Sequence, residues 1–250
     1  IILNLFLEHN IEKETLVERN DKEIKERFIN EIIKKSLGFS YVEDGARNEL
    51  GEFVHIGNNK LQNEKKYGFN CSGFVKDVVD NYIKYKLNDF KWLPIAELTV
   101  KRTEERKVTT YSFYENQLDP YFGLDWTKNL IDKINSLCGY TEENAEIYKS
   151  DKYSNIYENG EYDFSDLKEV LFRAQQSDSK YFYILVFNKF KVSPPSIPSF
   201  YHMAIAVPYF KNNHFYIRVF ESGEETSFLN LSKIHSNEKV AIFRVPIPNF

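Results

Sequence analysis

The sequence predicts an α+β fold, with helices early and an antiparallel sheet late, and three observations carry that expectation. Apolar residues recur at helical spacing over 23–35, they do so again behind Cys71, and the period changes in the C-terminal third, where aromatic and alternating runs are separated by Pro and Asn turns. With 250 residues, of which 42% are hydrophobic, and a formal net charge of -4, the chain has the length and composition of one soluble globular domain, 1–250, carrying an insertion at 91–164.

In chain order, Glu23 to Lys35 bears Ile24, Phe28, Ile29, Ile32 and Ile33 on one face and reads as a helix that Gly38 ends. Gly45, Gly51, Gly57 and Gly68 then mark an irregular segment between Phe39 and Phe69. Beyond Cys71, the residues Phe74, Val75, Val78, Val79, Tyr82 and Ile83 form an apolar face, while Lys76, Asp77, Asp80, Asn81 and Lys84 form a polar one, so an amphipathic helix begins at or just before the cysteine. Lys86 to Asp163 has few clean periods; within it Asp125 to Leu137 reads as helical, and Ser165 to Gln176 is a helix after it. Tyr181 to Phe190 is a buried strand ended by Ser193-Pro-Pro-Ser-Ile-Pro-Ser199. The next strand starts near His202, where His202, Ala204 and Ala206 share a face of small residues that admits a helix. The Lys211-Asn-Asn213 turn leads to a strand with Phe215, Ile217, Val219 and Glu221 on one face, and Val240 to Val245 closes the sheet.

Cys71 is the residue with the clearest chemistry. It follows Asn70, a good helix cap, and so sits where unpaired backbone N–H groups and the positive end of a helix dipole stabilise an anion. That setting depresses a thiol pKa, and the same N–H groups, that of Ser72 included, suit an oxyanion. Asn70 and Ser72 are therefore the candidate oxyanion or substrate-binding residues.

Gly-Phe-Asn-Cys-Ser-Gly-Phe-Val at 68–75 resembles the nucleophile motif of the NlpC/P60 cysteine peptidases, usually written Asp-Cys-Ser-Gly-Phe. Tyr201-His-Met-Ala-Ile-Ala-Val207 is similar to their His-bearing strand, Tyr183 to Phe187 to the strand before it, and the likeness covers roughly 23–90 and 165–245. The resemblance implies a papain-like core in which the Cys-bearing helix packs on the late sheet, Cys71 as nucleophile and His202 as base, acting on an amide of a peptidoglycan stem peptide. The chain departs from the pattern in three ways. Asn70 replaces the usual Asp, something like half of the interval between Cys71 and His202 is extra, and Phe53 and His55 occupy the stretch where the family often has a tyrosine.

A base imidazole works best when its second nitrogen donates to a fixed acceptor. Glu221, at the end of the strand that pairs with the His strand, is the best positional candidate, with Glu224, Glu225 and Asn188 as competitors. The resemblance more often implies His or another polar group there, while Glu occurs in circularly permuted and lipid-directed relatives.

Other classes are disfavoured. The slight acidity does not provide the basic surface a nucleic-acid groove needs. No apolar run is long enough to span a bilayer, two cysteines make no disulfide framework, and Cys138 is expected free. His9, His55, His214 and His235 read as solvent-facing without a partner at metal-ligand spacing, so no metal and no cofactor are expected. The opening Ile-Ile-Leu-Asn-Leu-Phe-Leu, with Met203 the only methionine, reads as a trimmed signal-peptide remnant or the first turn of a docking helix. The expectation is a secreted, periplasmic or envelope-associated thiol hydrolase using Cys71, His202 and Glu221 on a peptidoglycan peptide or other small amide. The alternatives are a thiol hydrolase or acyltransferase of lipid or other amide and ester substrates, and an inactive envelope-binding protein.

Overall fold

Every strand of the main sheet is hydrogen-bonded to a neighbour running the opposite way, in the order β5-β10-β6-β7-β8-β9. The strands are β5 (Tyr162–Asp163), β6 (Tyr181–Asn188), β7 (Phe200–Lys211), β8 (His214–Glu221), β9 (Glu224–Ser227) and β10 (Lys239–Pro246). The computed structural model describes residues 20–63, 65–88, 91–102, 119–140, 161–189 and 199–250. Residues 20–31 form α1, followed by a 3-10 turn at Ile33–Ser36, and Gly38 leaves that turn at φ +82°. The other helices are α2 (Cys71–Leu87), α3 (Ile95–Leu98), α4 (Phe122–Cys138), α5 (Leu167–Ser177) and α6 (Phe228–His235). The α+β class and the late antiparallel sheet are as the sequence predicts, and among the described residues no helix is long and apolar enough to cross a membrane.

The sheet is covered on both faces. Ile184, Val186, Met203, Ile205, Val207, Phe220 and Phe243 pack with α1, α2 and α4 in one cluster. Leu185, Phe187, Ala204, Ala206, Val219 and Ile242 pack with α5 and Leu231 of α6 in the other. Burial on both faces explains why Tyr181–Asn188 is an unbroken apolar run rather than an alternating one. The small residues Ala204 and Ala206 do admit a helix, and that helix is α5.

Two expectations need correction. The segment between Phe39 and Phe69 is more ordered than its glycines imply: β1 (Ser40–Tyr41) pairs in parallel with β4 (Gly68–Phe69), and β2 (Gly45–Arg47) pairs antiparallel with β3 (Phe53–His55). The polar face of α2 meets water only at Lys84, because Lys76, Asp77, Asp80 and Asn81 are all buried. Ser36 Oγ donates to Asp77 Oδ2 at 2.7 Å, Asn81 Nδ2 donates to Ser36 Oγ at 3.0 Å, and Arg47 stands 3.1 Å from Asp77 Oδ1. Lys76 Nζ lies 2.5 Å from Asp80 Oδ2, whose other oxygen accepts from the Leu93 amide. Helix α2 is thus central, and its charges are paired because unpaired ones would be too costly there. Burial pushes Asp80 up to about 6, against the pull of Lys76.

The described part of the segment expected as an insertion packs in the same core. Trp126, Leu130, Ile131 and Ile134 of α4, with Leu98 of α3, pack in the cluster that holds α2. The remainder of that segment, 103–118 and 141–160, lies outside the described residues, as does the 1–19 stretch with its opening apolar run and His9.

Candidate active site

Helix α2 starts at Cys71 because Asn70 caps it. Asn70 is extended, with φ -84° and ψ -175°, and its side-chain oxygen accepts from the Gly73 amide at 2.8 Å. Gly73 has a different reason: a Cβ there would lie 1.9 Å from the Gly45 carbonyl oxygen, so only glycine lets the first turn of α2 rest on β2. Ser72 is buried, with its carbonyl accepting from Trp126 Nε1 at 3.2 Å and its Oγ 4.0 Å from Cys71 Sγ.

Strand topology brings the histidine to this turn. The register between β6 and β7 shifts between Phe187 and Asn188, a bulge of the kind that re-aims side chains. Strand β8 pairs with β7 only from Phe220 opposite Ile205, so the stretch around 201–203 has no β8 partner. Cys71 Sγ lies 3.8 Å from the Tyr201 carbonyl oxygen, which brings the thiol beside the next residue of the strand, His202. The turn after β8, with Ser222 at φ +48° and Gly223 at φ +90°, is tied down where the Gly38 amide donates to the Gly223 carbonyl at 2.9 Å. It leaves Glu221 Oε2 2.6 Å from His202 Nε2. With Nε2 so occupied, Nδ1 is the nitrogen left for the thiol.

The electrostatics follow from these contacts. Burial pushes the Cys71 thiol up, but the hydrogen bond and charge of His202, helped by the Met203 backbone and Ser72, hold it below the ordinary thiol value. Burial pulls His202 down, while Cys71 and Glu221 raise it further, to about 10. Each group thus favours the charged form of the other: the imidazolium lowers the thiol and the thiolate raises the imidazole.

Two of the three competitors for the third position are engaged elsewhere. Asn188 donates to both carboxylate oxygens of Glu161, and Glu225 makes a bidentate pair with Arg218 at 2.6 Å. Glu224 and Glu225 line a cavity of about 500 Å³ beside the site, together with Tyr41, His202, Glu221 and Asn230. Cys138 is free and far along α4.

Two neighbours escape sequence reasoning. Tyr41 lines the cavity and is close enough to Cys71 for the thiolate to raise its phenol, after the larger contribution of burial. Its pairing opposite Phe69, two residues before the nucleophile, was the available signal, hidden because a two-residue strand has no period. His235 reverses its expectation: it is 3% exposed and stacked on His202, with Glu238 three residues beyond as partner. His55 and His214 are partly and fully exposed. Ligand-type atoms of His202, Glu221 and His235 fall within 4.8 Å of one another. Stacked rings, however, direct their in-plane lone pairs side by side instead of to one point, so an ion there would have to turn one ring off the other.

No protein-family model matches the chain, and no curated protein or solved structure matches it. The likeness to NlpC/P60 peptidases therefore rests on the residues at 68–75 and 181–207 themselves.

Proposed function

We propose that the chain is a cysteine hydrolase of papain-like type that cleaves amide bonds, with Cys71 as nucleophile, His202 as proton carrier and Glu221 as orienter. The single observation that carries this reading is the Cys71–His202–Glu221 arrangement, in which a helix-capped thiol lies 3.8 Å from the carbonyl of the residue before His202, and the imidazole of His202 is held at 2.6 Å by a carboxylate. The Cys71 thiolate attacks the carbonyl carbon, forming a C–S bond while the carbonyl π electrons move to oxygen. The cap takes the Gly73 amide and the Asn70 carbonyl takes that of Phe74, leaving the Cys71 and Ser72 amides for the oxyanion. Collapse breaks the C–N bond, and the departing amine takes the proton of His202. Water then attacks the thioester as His202 recovers a proton from it, and the acid leaves with Cys71 again a thiolate.

The substrate class comes from the resemblance: a peptidoglycan stem peptide, met by a secreted, periplasmic or envelope-associated protein. The lining of the cleft fits a peptide, since Tyr41, Glu221, Ser222, Glu224, Thr226, Ser227 and Asn230 offer polar groups rather than a bed for an acyl chain. An inactive binding protein would not need a helix-capped thiol beside an imidazole held by a carboxylate.

The test is alkylation of the purified chain by iodoacetamide across pH, with peptide mapping, in wild type, His202→Ala and Cys71→Ala, followed by incubation with muropeptides. Selective labelling of Cys71 with an apparent pKa well below ~8.5, raised in His202→Ala, together with new amine termini from muropeptides, is the expected result. Labelling at an ordinary thiol rate, indifferent to His202, excludes the hydrolase.

A further inference from the structure

Against the face of His202 lies a second imidazole. The rings of His202 and His235 are 10° from parallel with centroids 5.1 Å apart. His235 ends α6, and its other contacts are as specific as those of the reacting ring. Its Nδ1 is 2.7 Å from Glu238 Oε2 and 3.2 Å from the Tyr201 hydroxyl, which donates to Glu238 Oε1 at 2.7 Å. Phe187 packs against it at 4.2 Å between centroids, and Phe187 also meets His202 at 5.4 Å. Tyr201 links this group to the nucleophile, because its carbonyl is the oxygen in contact with Cys71 Sγ.

We propose that His235 is a positioning residue for His202: a neutral imidazole, clamped edge-on by Glu238 and Tyr201, whose face backs the reacting ring and fixes the plane in which that ring reaches Cys71 and Glu221. The inference rests on the reaction proposed above and adds to it a residue that touches neither substrate nor thiol. The clamp sets the tautomer. A carboxylate can only accept, so Nδ1 of His235 carries hydrogen and donates to Glu238. The groups that face His235 are Glu238 from the turn after α6, Tyr201 and His202 from β7, Glu221 from the end of β8, Phe187 from β6 and Phe164 from the 3-10 turn after β5. Burial and the charge of His202 press His235 below the usual histidine value, against the pull of Glu238. A cation over a neutral π face is attracted, whereas two imidazolium rings so close repel, so the stack holds one positive charge and holds it on His202.

The experiment uses the full chain as wild type, His235→Phe and His235→Leu. It reads the pH dependence of Cys71 alkylation and the nitrogen shifts of the imidazoles. Leucine removes the flat face, so alkylation at pH 7 falls about tenfold and the apparent thiol pKa moves toward the free value of ~8.5. Phenylalanine keeps the face and stays within about threefold of wild type, the rescue expected of a π partner. At pH 7, among the five imidazoles of the wild-type spectra, the ring assigned to His202 is charged and the ring assigned to His235 is neutral and protonated at Nδ1. A His235→Leu protein with native circular dichroism and a wild-type pH profile overturns the proposal, as does a charged His235 at pH 7. Should His235→Leu not fold, a folded His235→Phe whose thiol titrates like a free one is equally decisive against it. If wild-type Cys71 itself titrates as an ordinary thiol, the hydrolase reading fails, and the role of His235 fails with it.

Discussion

Nε2 of His202 stands 2.6 Å from Oε2 of Glu221, and that single contact decides which imidazole nitrogen faces Cys71. Both side chains are about one-fifth exposed. The carboxylate is thus shielded enough to hold the ring in place and to favour its charged form, yet remains at the wall of the cleft.

Glu221→Gln keeps an acceptor of the same shape and removes the charge. His202 should then lose part of its rise above the usual histidine value, and the thiolate fraction at pH 7 should fall. Alkylation of Cys71 at pH 7 is expected to slow by roughly tenfold and muropeptide cleavage by about 10²-fold. An unchanged alkylation profile would remove Glu221 from the site.

Alkylation and hydrolysis should differ in shape across pH. Alkylation needs only thiolate, so it rises through the depressed thiol pKa and then stays level. Hydrolysis also needs the imidazolium as acid, so it falls again as pH rises through about 10. Stability follows the same group: because the folded value lies above the unfolded one of ~6.5, the contribution of His202 is complete at lower pH. It is lost as pH rises through about 10. The difference in Tm between wild type and His202→Ala should accordingly shrink between pH 8 and the alkaline side of that range.

Tyr41→Phe removes the one phenol that lines the cavity and senses the thiolate. If the hydroxyl supports the oxyanion, kcat should drop by about 10²-fold while the pH profile of alkylation is unmoved. Equal loss in both assays would assign Tyr41 to holding the thiol instead.

Gly73→Ala places a Cβ where the Gly45 carbonyl oxygen is 1.9 Å away, with backbone on both sides. Neither can yield without parting α2 from β2, so a loss of ~3 kcal/mol or more is expected in urea unfolding, with Cys71 displaced. Native stability in this variant would contradict the close approach.

Lys76→Met leaves Asp80 buried without its cation. The expected cost is about 3 kcal/mol, whereas Lys76→Met with Asp80→Asn should recover much of it, because the amide still accepts from Leu93 and no charge is left uncompensated. Thermal melts of the two variants at neutral pH make the comparison.

Much of this was legible in the sequence because it is local. The cap at Asn70, the apolar stripe of α2, the Asn212-Asn213 turn with both residues at positive φ, and the long apolar run of β6 are each written within a few residues. Local periodicity reports which side a residue turns, and that was enough to rank Glu221 above its competitors. The sequence by itself determined the class of fold, the order of its longer helices and strands, and Cys71, His202 and Glu221 as the candidate side chains. Only the tertiary structure decided what surrounds them. Most of the polar face of α2 is buried because β2, the 3-10 turn and the Leu93 segment close over it, and α4 packs into the same core, where Trp126 reaches the Ser72 carbonyl. Tyr41 and His235 reached the site through a two-residue parallel strand and the end of an eight-residue helix, far from Cys71 in the chain. Such meetings are set by packing between distant elements, which no spacing along one segment records.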